Sequence, residues 1–304
     1  MPDYGRPIRF GYFLNPVAEG VEATIESAGL ADELGLDLIG IQDHPYQPRF
    51  LDTWTLLTFL AARTERIGLF PDVATLALRS PAMLAKAAVS LDILSGGRFE
   101  LGLGIGAFPK AIAAMGAEAL PPPRAIDALE EGIAIIRALW TADRRASFEG
   151  RHFRFGAGVA GPPPSHPIQI WIGAYKPRML AVTGRLGDGW VPTLAYANPT
   201  ELPAMHERID RAAVAAGRDP AAIARLYNLQ GRIVAGPVTN LLDGPADHWI
   251  ESLTAFAVDF GMDTFLIGPS EDPRAQVRRF AEEVVPAVRE AVARVRAARG
   301  WGGA

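Results

Sequence analysis

Two neighbouring side chains early in the sequence could exchange a proton with a substrate. Asp43 and His44 follow a short apolar run, in the segment Gln42-Asp43-His44-Pro45. The imidazole of a histidine titrates near neutral pH, so it can accept or donate a proton during turnover. The alternative for this pair is a structural role, in which Asp43 caps the next loop and His44 packs at its edge. We take His44 as the first candidate for a catalytic residue.

A glycine-rich segment, Gly102-Leu103-Gly104-Ile105-Gly106-Ala107, could bind a flat ring, because missing Cβ atoms let a ligand approach the backbone closely. It formally matches the dinucleotide fingerprint. However, Phe108-Pro109 interrupts the chain where that fingerprint would enter a helix, and the unit is the fourth of the chain rather than the first. Tight packing of a strand against its neighbours is the alternative. Gly187-Asp188-Gly189-Trp190 is expected to provide a second close approach beside the first.

Two cations stand at the start of a predicted helix, in Gly173-Ala174-Tyr175-Lys176-Pro177-Arg178. Positive side chains are unfavourable beside the positive end of the helix dipole. Their presence indicates an external anion, such as a phosphate, bound by Lys176, Arg178 and the free backbone N–H groups. Ordinary solvated surface charges are the alternative.

The elements that must position these residues alternate along the whole chain, as short apolar runs and helix-length amphipathic segments. The predicted strands are Ile8–Leu14, Leu38–Gln42, Ile67–Val73, Phe99–Leu103, Ile168–Ile172, Gly189–Pro192, Ala224–Val234 and Thr264–Ile267. The helices are predicted to begin near Val21, Thr53, Pro81, Ala125, Pro177, Pro199, Pro245 and Asp272. Eight βα units predict a (β/α)8 TIM barrel, with the active site at the C-terminal ends of its strands. A doubly wound open sheet is the structural alternative.

The chain is predicted to form one domain over residues 1–304, because no linker rich in Gly, Ser or Pro divides it. Two insertions are expected in this domain: a lid over residues 108–124, and a hairpin with a proline-rich loop over residues 147–167. An apolar lid would exclude water from the site and favour an apolar or aromatic substrate. Disorder of the lid in the absence of ligand is the alternative.

Composition argues against several classes of function. A chain with 0 cysteines has no thiolate nucleophile, disulfide or zinc–thiolate site, and its histidines and carboxylates lack metal-binding spacing, so no metal is expected. It also has no nucleophile elbow. A net charge of -4 argues against nucleic-acid binding. The sequence has neither a secretory leader nor a long apolar stretch, which predicts a cytoplasmic protein outside the membrane.

Together, these residues resemble the luciferase-like monooxygenase superfamily of flavin-dependent barrels, and more closely its branch that uses the deazaflavin coenzyme F420. The resemblance spans nearly the whole chain. Besides Gln42–Pro45, it rests on Ala77-Leu78-Arg79-Ser80-Pro81, on Ser95-Gly96-Gly97-Arg98 leading to the glycine-rich segment, on Ile170 to Leu180, and on Gly184 to Trp190.

This resemblance implies a ring lying across the mouth of the barrel, with Asp43 and His44 near its reactive face as catalytic and cofactor-binding residues. A bulge at the end of strand three, often with a non-proline cis peptide, would back the ring within Asp72, Val73, Ala74 and Thr75. Asp72 is larger and more acidic than the small residue usual there.

Further contacts implied by the resemblance fall in two loops. Gly104, Gly106, Ala107 and Phe108 would line the ring, whereas Gly173, Ala174, Tyr175, Lys176 and Arg178 would take the phosphate of its side chain. Members that act on sugar phosphates carry a glutamate after the last glycine of the first loop. Ala107 stands there in this chain, which disfavours that substrate class.

The reaction implied by the resemblance is hydride transfer between coenzyme F420 and a small organic substrate, with His44 supplying or removing a proton. With FMN instead, the same barrel would be a two-component monooxygenase served by a flavin reductase. Two further alternatives are a non-catalytic flavin-binding accessory barrel and a lyase or isomerase without a redox cofactor. The family habit of pairing barrels through helices beside strands two and three also suggests a homodimer.

Overall fold

The computed structural model describes residues 3–141, 145–159, 161–268 and 270–300. Ala160 of the predicted second insertion, and both ends of the predicted domain, lie outside these residues. The strands are β1 Arg9–Leu14, β2 Leu38–Ile41, β3 Gly68–Pro71, β4 Ala74–Thr75, β5 Leu101–Gly104, β6 Arg145–Glu149, β7 Arg154–Val159, β8 Ile170–Ile172, β9 Gly189–Trp190, β10 Ala224–Leu229, β11 Arg232–Ile233, β12 Asp243–Gly244 and β13 Thr264–Ile267.

A closed parallel barrel forms the centre of the protein. Its strands follow the order β3-β2-β1-β13-β10-β9-β8-β5-β4, and a parallel bridge from Leu69 to Phe99 joins β3 to the chain that leads into β5. β3 and β4 are two halves of the predicted third strand, separated by Asp72 and Val73. Counting them as one strand gives the eight strands of a (β/α)8 barrel, so the predicted fold class is confirmed.

The helices pack around the outside of this barrel, apart from the short one that begins at Pro109 in the lid region. They are α1 Val21–Glu33, α2 Thr53–Ala61, α3 Pro81–Ser95, α4 Pro109–Ala114, α5 Pro122–Thr141, α6 Pro177–Leu186, α7 Leu202–Ala215, α8 Ala246–Val258, α9 Pro273–Arg279 and α10 Val285–Ala298. Local signals explain several starts: Asp52 accepts a hydrogen bond from the N–H of Thr55, and Ser80 accepts one from Met83 immediately before Pro81. No helix among the described residues is both long and apolar enough to cross a lipid bilayer.

Several predicted boundaries were wrong. The helix predicted to begin near Ala125 begins at Pro122, whereas the one predicted near Pro199 does begin there, with a 3-10 turn that leads into α7. The predicted strand Ala224–Val234 ends at Leu229, because the chain turns away at Gly231. A Cβ atom at Gly231 would lie 2.3 Å from the carbonyl oxygen of Leu242, so only glycine permits this close approach.

The barrel has separate inner and outer cores. The inner core is an apolar plug in which the rings of Phe70 and Trp171 meet edge to face at 4.8 Å. Its buried members are Leu38, Phe70, Trp171, Val191, Ala224, Leu226 and Leu266. The outer core lies between strands and helices and contains outward-facing residues such as Phe10, Leu14 and Trp190. The plug fills the lumen, so a ligand site can form only above it.

The segment Ser95-Gly96-Gly97-Arg98 lies at the N-terminal end of the barrel and stabilises the fold. Arg98 donates hydrogen bonds to the carbonyl oxygens of Ala61, Thr64, Ile67 and Ser95 at 2.8–3.0 Å. These bonds tie the end of α2, the start of β3 and the end of α3 together.

The expectation that Gly187–Trp190 lies beside the ring-binding loop was wrong. Asp188 exchanges hydrogen bonds with the backbone of Ile170 at the start of β8, so this segment opens β9 at the opposite end of the barrel. Gly189 makes room for the indole of Trp171, because a Cβ atom there would lie 2.4 Å from the ring.

The two predicted insertions form compact elements. The lid region contains α4, and the hairpin pairs β6 with β7 in antiparallel register. Glu131 of α5 accepts hydrogen bonds from the backbone N–H groups of Arg151, His152 and Phe153, at 2.8–3.0 Å. The hairpin turn is therefore fastened to the barrel.

Candidate active site

The predicted site residues converge at the mouth, which we define as the C-terminal ends of the barrel strands. His44 follows β2, the Asp72–Val73 bulge separates β3 from β4, Gly106 follows β5, and Gly173 follows β8. Because β2 pairs with β3, β4 with β5, and β5 with β8, these segments lie side by side around one half of the barrel.

Asp43 is fully buried, and its carboxylate connects neighbouring segments of the mouth by hydrogen bonds. Its carboxylate accepts a hydrogen bond from the N–H of Thr75 at 3.2 Å and from Arg79 at 3.4 Å. Arg79 also pairs with Asp52 at 2.5 Å. Burial disfavours the charged guanidinium, but the two carboxylates outweigh it and raise the pKa of Arg79. Asp43 therefore joins the ends of β2 and β4.

His44 is half-buried, and its ring is held by two aromatic neighbours. Its Nδ1 lies 2.6 Å from the hydroxyl oxygen of Tyr46, and its ring meets that of Phe108 edge to face at 5.6 Å. Burial lowers the pKa of His44, although the charge of Asp43 opposes this shift. The imidazole is therefore neutral near pH 7. Sequence reasoning missed Tyr46, for which the only signal is an aromatic residue two positions after the histidine.

The bulge lies where the resemblance placed it, and the peptide bond between Asp72 and Val73 is cis. Val73 extends its side chain toward two glycines of the mouth. A Cβ atom at Gly104 or Gly173 would lie 2.9 or 3.0 Å from a methyl carbon of Val73. These glycines make room first for Val73, a neighbour that the sequence could not identify.

The rest of the bulge is buried against the loop after β5. Ala74 and Thr75 are buried, and a Cβ atom at Gly106 would lie 2.9 Å from the methyl group of Thr75. Gly106 also has a φ of 88°, a conformation that side chains other than glycine rarely adopt. Both the close approach of Thr75 and the positive φ therefore require glycine at position 106. The bulge and the loop after β5 pack together as one wall of the mouth.

A buried polar pair lies above the apolar plug. Asp72 at the end of β3 is 9% exposed and Asn228 of β10 is 2% exposed. The two strands stand on opposite sides of the barrel, so this pair spans the lumen. Burial raises the pKa of Asp72 to about 7, and a hydrogen-bond interaction with Asn228 opposes the shift. One oxygen of each side chain, Oδ2 of Asp72 and Oδ1 of Asn228, has no hydrogen-bond partner.

We call Asp72 and Asn228 the floor of the mouth, because both are buried near the carboxyl ends of their strands, and the hydroxyl of Thr193 lies close to Asn228. The amide of Asn228 lies 3.5 Å from the Thr193 hydroxyl, at the limit of a hydrogen bond. Sequence reasoning missed Asn228, although an uncharged polar residue near the end of the mostly apolar run Ala224–Leu229 was an available signal.

The predicted phosphate-binding segment is partly occupied by internal contacts. The carbonyl of Ala174 accepts from the indole of Trp190 at 2.8 Å, and the Tyr175 hydroxyl accepts from the N–H of Thr193 at 3.1 Å. Arg178 pairs with Asp127 of α5 and donates to the carbonyl of Pro123 at 2.9 Å. Lys176 is exposed. An anion here would meet Lys176 directly, whereas Arg178 would have to exchange partners.

A cavity of about 790 Å³ opens between the lid, α5 and the hairpin. Most of its lining is apolar, including Leu76, Leu78, Ile105, Ile112, Leu120 and Phe153. Ala107 and Pro109 line it as well, and Phe108 between them contacts His44. The cavity and the histidine therefore meet at Phe108, the residue at which the lid begins. No cluster of three potential metal ligands occurs among the described residues.

Comparison with known proteins finds relatives that match most of the chain. A family model described as luciferase-like monooxygenase matches residues 8–236. An F420-dependent glucose-6-phosphate dehydrogenase from Kineococcus radiotolerans is 30% identical over 240 residues, which cover 75% of this chain and 68% of that protein. A phthiodiolone/phenolphthiodiolone dimycocerosates ketoreductase from Mycobacterium kansasii is 34% identical over 252 residues, or 82% of this chain and 64% of that protein. The chain thus spans about two thirds of the length of these relatives.

Solved structures share the fold over nearly the whole chain. An F420-dependent secondary alcohol dehydrogenase, in complex with an F420–acetone adduct, superposes with a TM-score of 0.83 at 19% identity, covering 93% of this chain and 99% of that one. The monooxygenase RslO1 from Streptomyces bottropensis gives a TM-score of 0.79 at 22% identity, covering 92% and 99%. These relatives and neighbours are oxidoreductases and monooxygenases.

Proposed function

The chain belongs to the luciferase-like monooxygenase family of oxidoreductases, and from this premise we propose that it transfers a hydride between coenzyme F420 and a small organic substrate. The observation that carries the proposal is the meeting of three features at one mouth: a neutral, half-buried His44, the Asp72–Val73 bulge and the glycine loop ending at Gly106. Two relatives with F420-dependent or ketoreductase activity in their names support it.

The floor of the mouth fits a heteroaromatic ring. Oδ2 of Asp72 and Oδ1 of Asn228 are buried acceptors without partners, and an unmet buried polar group costs about 1–3 kcal/mol. Both oxygens are shielded from solvent, so a ring that carries N–H groups would satisfy them once the two side chains turn toward the mouth. Val73, Gly104, Gly106, Ala107 and Phe108 would line the ring; Gly173, Ala174, Tyr175, Lys176 and Arg178 would take its phosphate. When bound, F420 supplies a centre that accepts or donates a hydride.

His44 would manage the proton that accompanies the hydride. In the oxidation of an alcohol to a carbonyl, the carbinol C–H bond breaks with both electrons leaving as hydride, and the hydroxyl proton passes to His44. In the reverse direction, His44 returns a proton to the carbonyl oxygen. Because Nδ1 contacts Tyr46, the nitrogen that exchanges this proton is Nε2. Asp43 would contribute through its charge and by holding the mouth.

The substrate we propose is small and apolar or aromatic. The apolar lining of the cavity beside Ala107 supports this class. The absence of a carboxylate at position 107 disfavours a sugar phosphate. A ketoreductase among the relatives supports carbonyl–alcohol interconversion as the reaction.

We also propose a homodimer formed through α2 and α3. Phe59 of α2 and Met83, Ile93 and Leu94 of α3 expose 41%, 64%, 42% and 73% of their surface. Burying such side chains is favourable, by about 25 cal/mol per Å². Sedimentation of the purified protein would report the oligomeric state.

A parallel titration tests the cofactor. F420 and FMN, each oxidised and reduced, are titrated into the protein at micromolar concentration and followed by fluorescence, with oxygen uptake recorded under substrate. We expect F420 to bind and turnover to consume no oxygen. Binding of FMN with oxygen uptake, given a flavin reductase, would instead establish the two-component monooxygenase, which the family name favours. Binding of neither would overturn both.

A further inference from the structure

We infer that Tyr46 is a positioning residue for His44, and that its hydroxyl fixes the ring so that Nε2 faces the substrate and can act in either direction of proton transfer. The inference rests on the proposed function for its kinetic consequences. The contact itself does not depend on that function.

The geometry leaves the imidazole little freedom. Tyr46 Oη lies 2.6 Å from Nδ1, and the two ring centroids are 5.4 Å apart. Phe108 meets the rings of His44 and Tyr46 edge to face, at 5.6 and 5.9 Å. One hydrogen bond and two ring contacts therefore determine the plane of the imidazole.

Asp43 does not fill this role, despite its adjacency in sequence. Its two carboxylate oxygens face the N–H of Thr75 and the guanidinium of Arg79. The titratable and charged groups described around the imidazole are Asp43, Arg79 behind it, and Tyr46; the lid contributes the uncharged ring of Phe108. Only Tyr46 meets a ring nitrogen of His44 among these groups.

A hydroxyl partner has a consequence that a carboxylate partner would not have. A carboxylate only accepts, so it would hold a proton on Nδ1 and favour the imidazolium ion. A hydroxyl both donates and accepts. When Nδ1–H donates to Tyr46, Nε2 has a free lone pair and can take the proton of an alcohol; when the Tyr46 hydroxyl donates to Nδ1, Nε2–H can give its proton to a carbonyl.

The phenol keeps its proton throughout. Burial and the charge of Asp43 raise the pKa of Tyr46 to about 12. Tyr46 therefore supports both tautomers of His44 and remains neutral itself, and the proton that His44 gains or loses is exchanged with solvent.

The test compares Tyr46→Phe with Tyr196→Phe in the whole protein. Tyr46→Phe removes the hydroxyl and keeps the ring contacts, whereas Tyr196 is 70% exposed near the same mouth and serves as the control. The first measurement is the 15N spectrum of the His44 imidazole without cofactor. We expect Tyr46→Phe to change the Nδ1 and Nε2 shifts and the tautomer ratio, and Tyr196→Phe to leave them unchanged.

The second measurement is the pH profile of turnover. We expect Tyr46→Phe to lower kcat roughly 10-fold, the effect of one lost hydrogen bond, with KM nearly unchanged. Its acid limb should move to lower pH, because the imidazolium loses a charge-assisted bond to the hydroxyl. An unchanged 15N spectrum, or unchanged kcat and pH profile in an active enzyme, would overturn the inference. A protein without hydride transfer but with the expected 15N change would instead refute the proposed function alone.

Discussion

The two ends of the barrel each contain a buried carboxyl group with a pKa raised to about 7, yet the two groups differ in their hydrogen bonds. At the N-terminal end, Glu100 accepts from the N–H of Gln169 at 2.5 Å and lies 3.4 Å from Nε2 of His166. At the mouth, Asp72 has the same pKa, but its Oδ2 has no partner. A raised pKa therefore occurs at both ends of the barrel, and so do buried polar atoms without a hydrogen-bond partner, such as Nη2 of Arg9 and Nη1 of Arg225 at the N-terminal end. What sets Asp72 apart is its position at the mouth, where β3 ends.

The same contrast extends to the neighbouring charges. Asp188 at the N-terminal end pairs with Arg137 and Arg218, both at 2.9 Å, and His166 contacts Asp92 at 2.6 Å. These contacts bind elements to one another. The mouth has such contacts as well, between Arg79 and the carboxylates of Asp43 and Asp52, and beside them are the two side chains that we propose for a ligand, His44 and the exposed Lys176. This separation of stability from chemistry is the usual division of labour in TIM barrels.

The largest expected effect is a loss of turnover when the mouth alone is altered. His44→Ala should lower kcat roughly 10²- to 10⁴-fold, because it removes the acid–base group, and should lower cofactor affinity far less, because the two loops would still hold the cofactor. The measurement is turnover together with a binding titration. His166→Gln is the matched control at the other end and should lower thermal stability but retain turnover. Cofactor binding without turnover in either protein would favour the non-catalytic accessory barrel, whereas equal turnover in the two would show that His44 is not the acid–base group.

The next largest effect is a loss of stability when the N-terminal end of the barrel is altered. Arg98→Ala should lower the free energy of unfolding by about 2–4 kcal/mol, because several buried carbonyl groups lose their donor. Urea unfolding measures this change, with the exposed Arg208 of α7 replaced by Ala as the control. We expect the folded variant to keep its cofactor affinity. Lost affinity with unchanged stability would contradict the separation of the two ends.

The smallest effect compares the two carboxyls directly through Asp72→Asn and Glu100→Gln. A folded-state pKa of about 7 lies above the usual value near 4, so each group stabilises the fold fully below about pH 4, and this stabilisation is lost as pH rises through 7. Each variant should therefore shrink the difference in unfolding free energy between pH 4 and pH 8, by on the order of 2 kcal/mol.

Cofactor affinity should then distinguish the Asp72 variant from the Glu100 variant. Asp72→Asn is expected to change cofactor affinity several-fold, because it alters the floor, whereas Glu100→Gln should leave it within about twofold. Equal responses of the two variants in the binding titration would show that the unpaired oxygen of Asp72 has no special role.

Much of the fold could be predicted from the sequence because its signals are local. The strand Thr264–Ile267 and the helix starts at Val21, Thr53, Pro81 and Pro177 agree with the structure. The break in the third strand could not be found in the run Ile67–Val73, since apolar periodicity does not record a cis peptide. The family resemblance predicted the position of the bulge, whereas the apolar periodicity did not.

The candidate site was predictable in its residues and less so in its contacts. His44 and the glycine loop stand where the sequence predicted them, at the ends of strands. Tyr46 and Asn228 were not predicted, because what singles them out is a contact in the folded structure, with His44 and Asp72 respectively. Likewise, Arg178 is engaged by Asp127 of α5, and no pattern around position 178 indicated that partner.

By itself, the sequence determined the barrel and indicated the end of it at which we propose the active site, because periodicity, caps and strand ends depend on residues close together in the chain. Only the tertiary structure decided which polar groups are already paired. Asp43 and Asp72 are both buried acids at strand ends, yet one is bound by Thr75 and Arg79 and the other faces Asn228 across the lumen with an oxygen to spare. Hydrogen bonding depends on partners from distant strands, and closing the barrel is what brings those partners together.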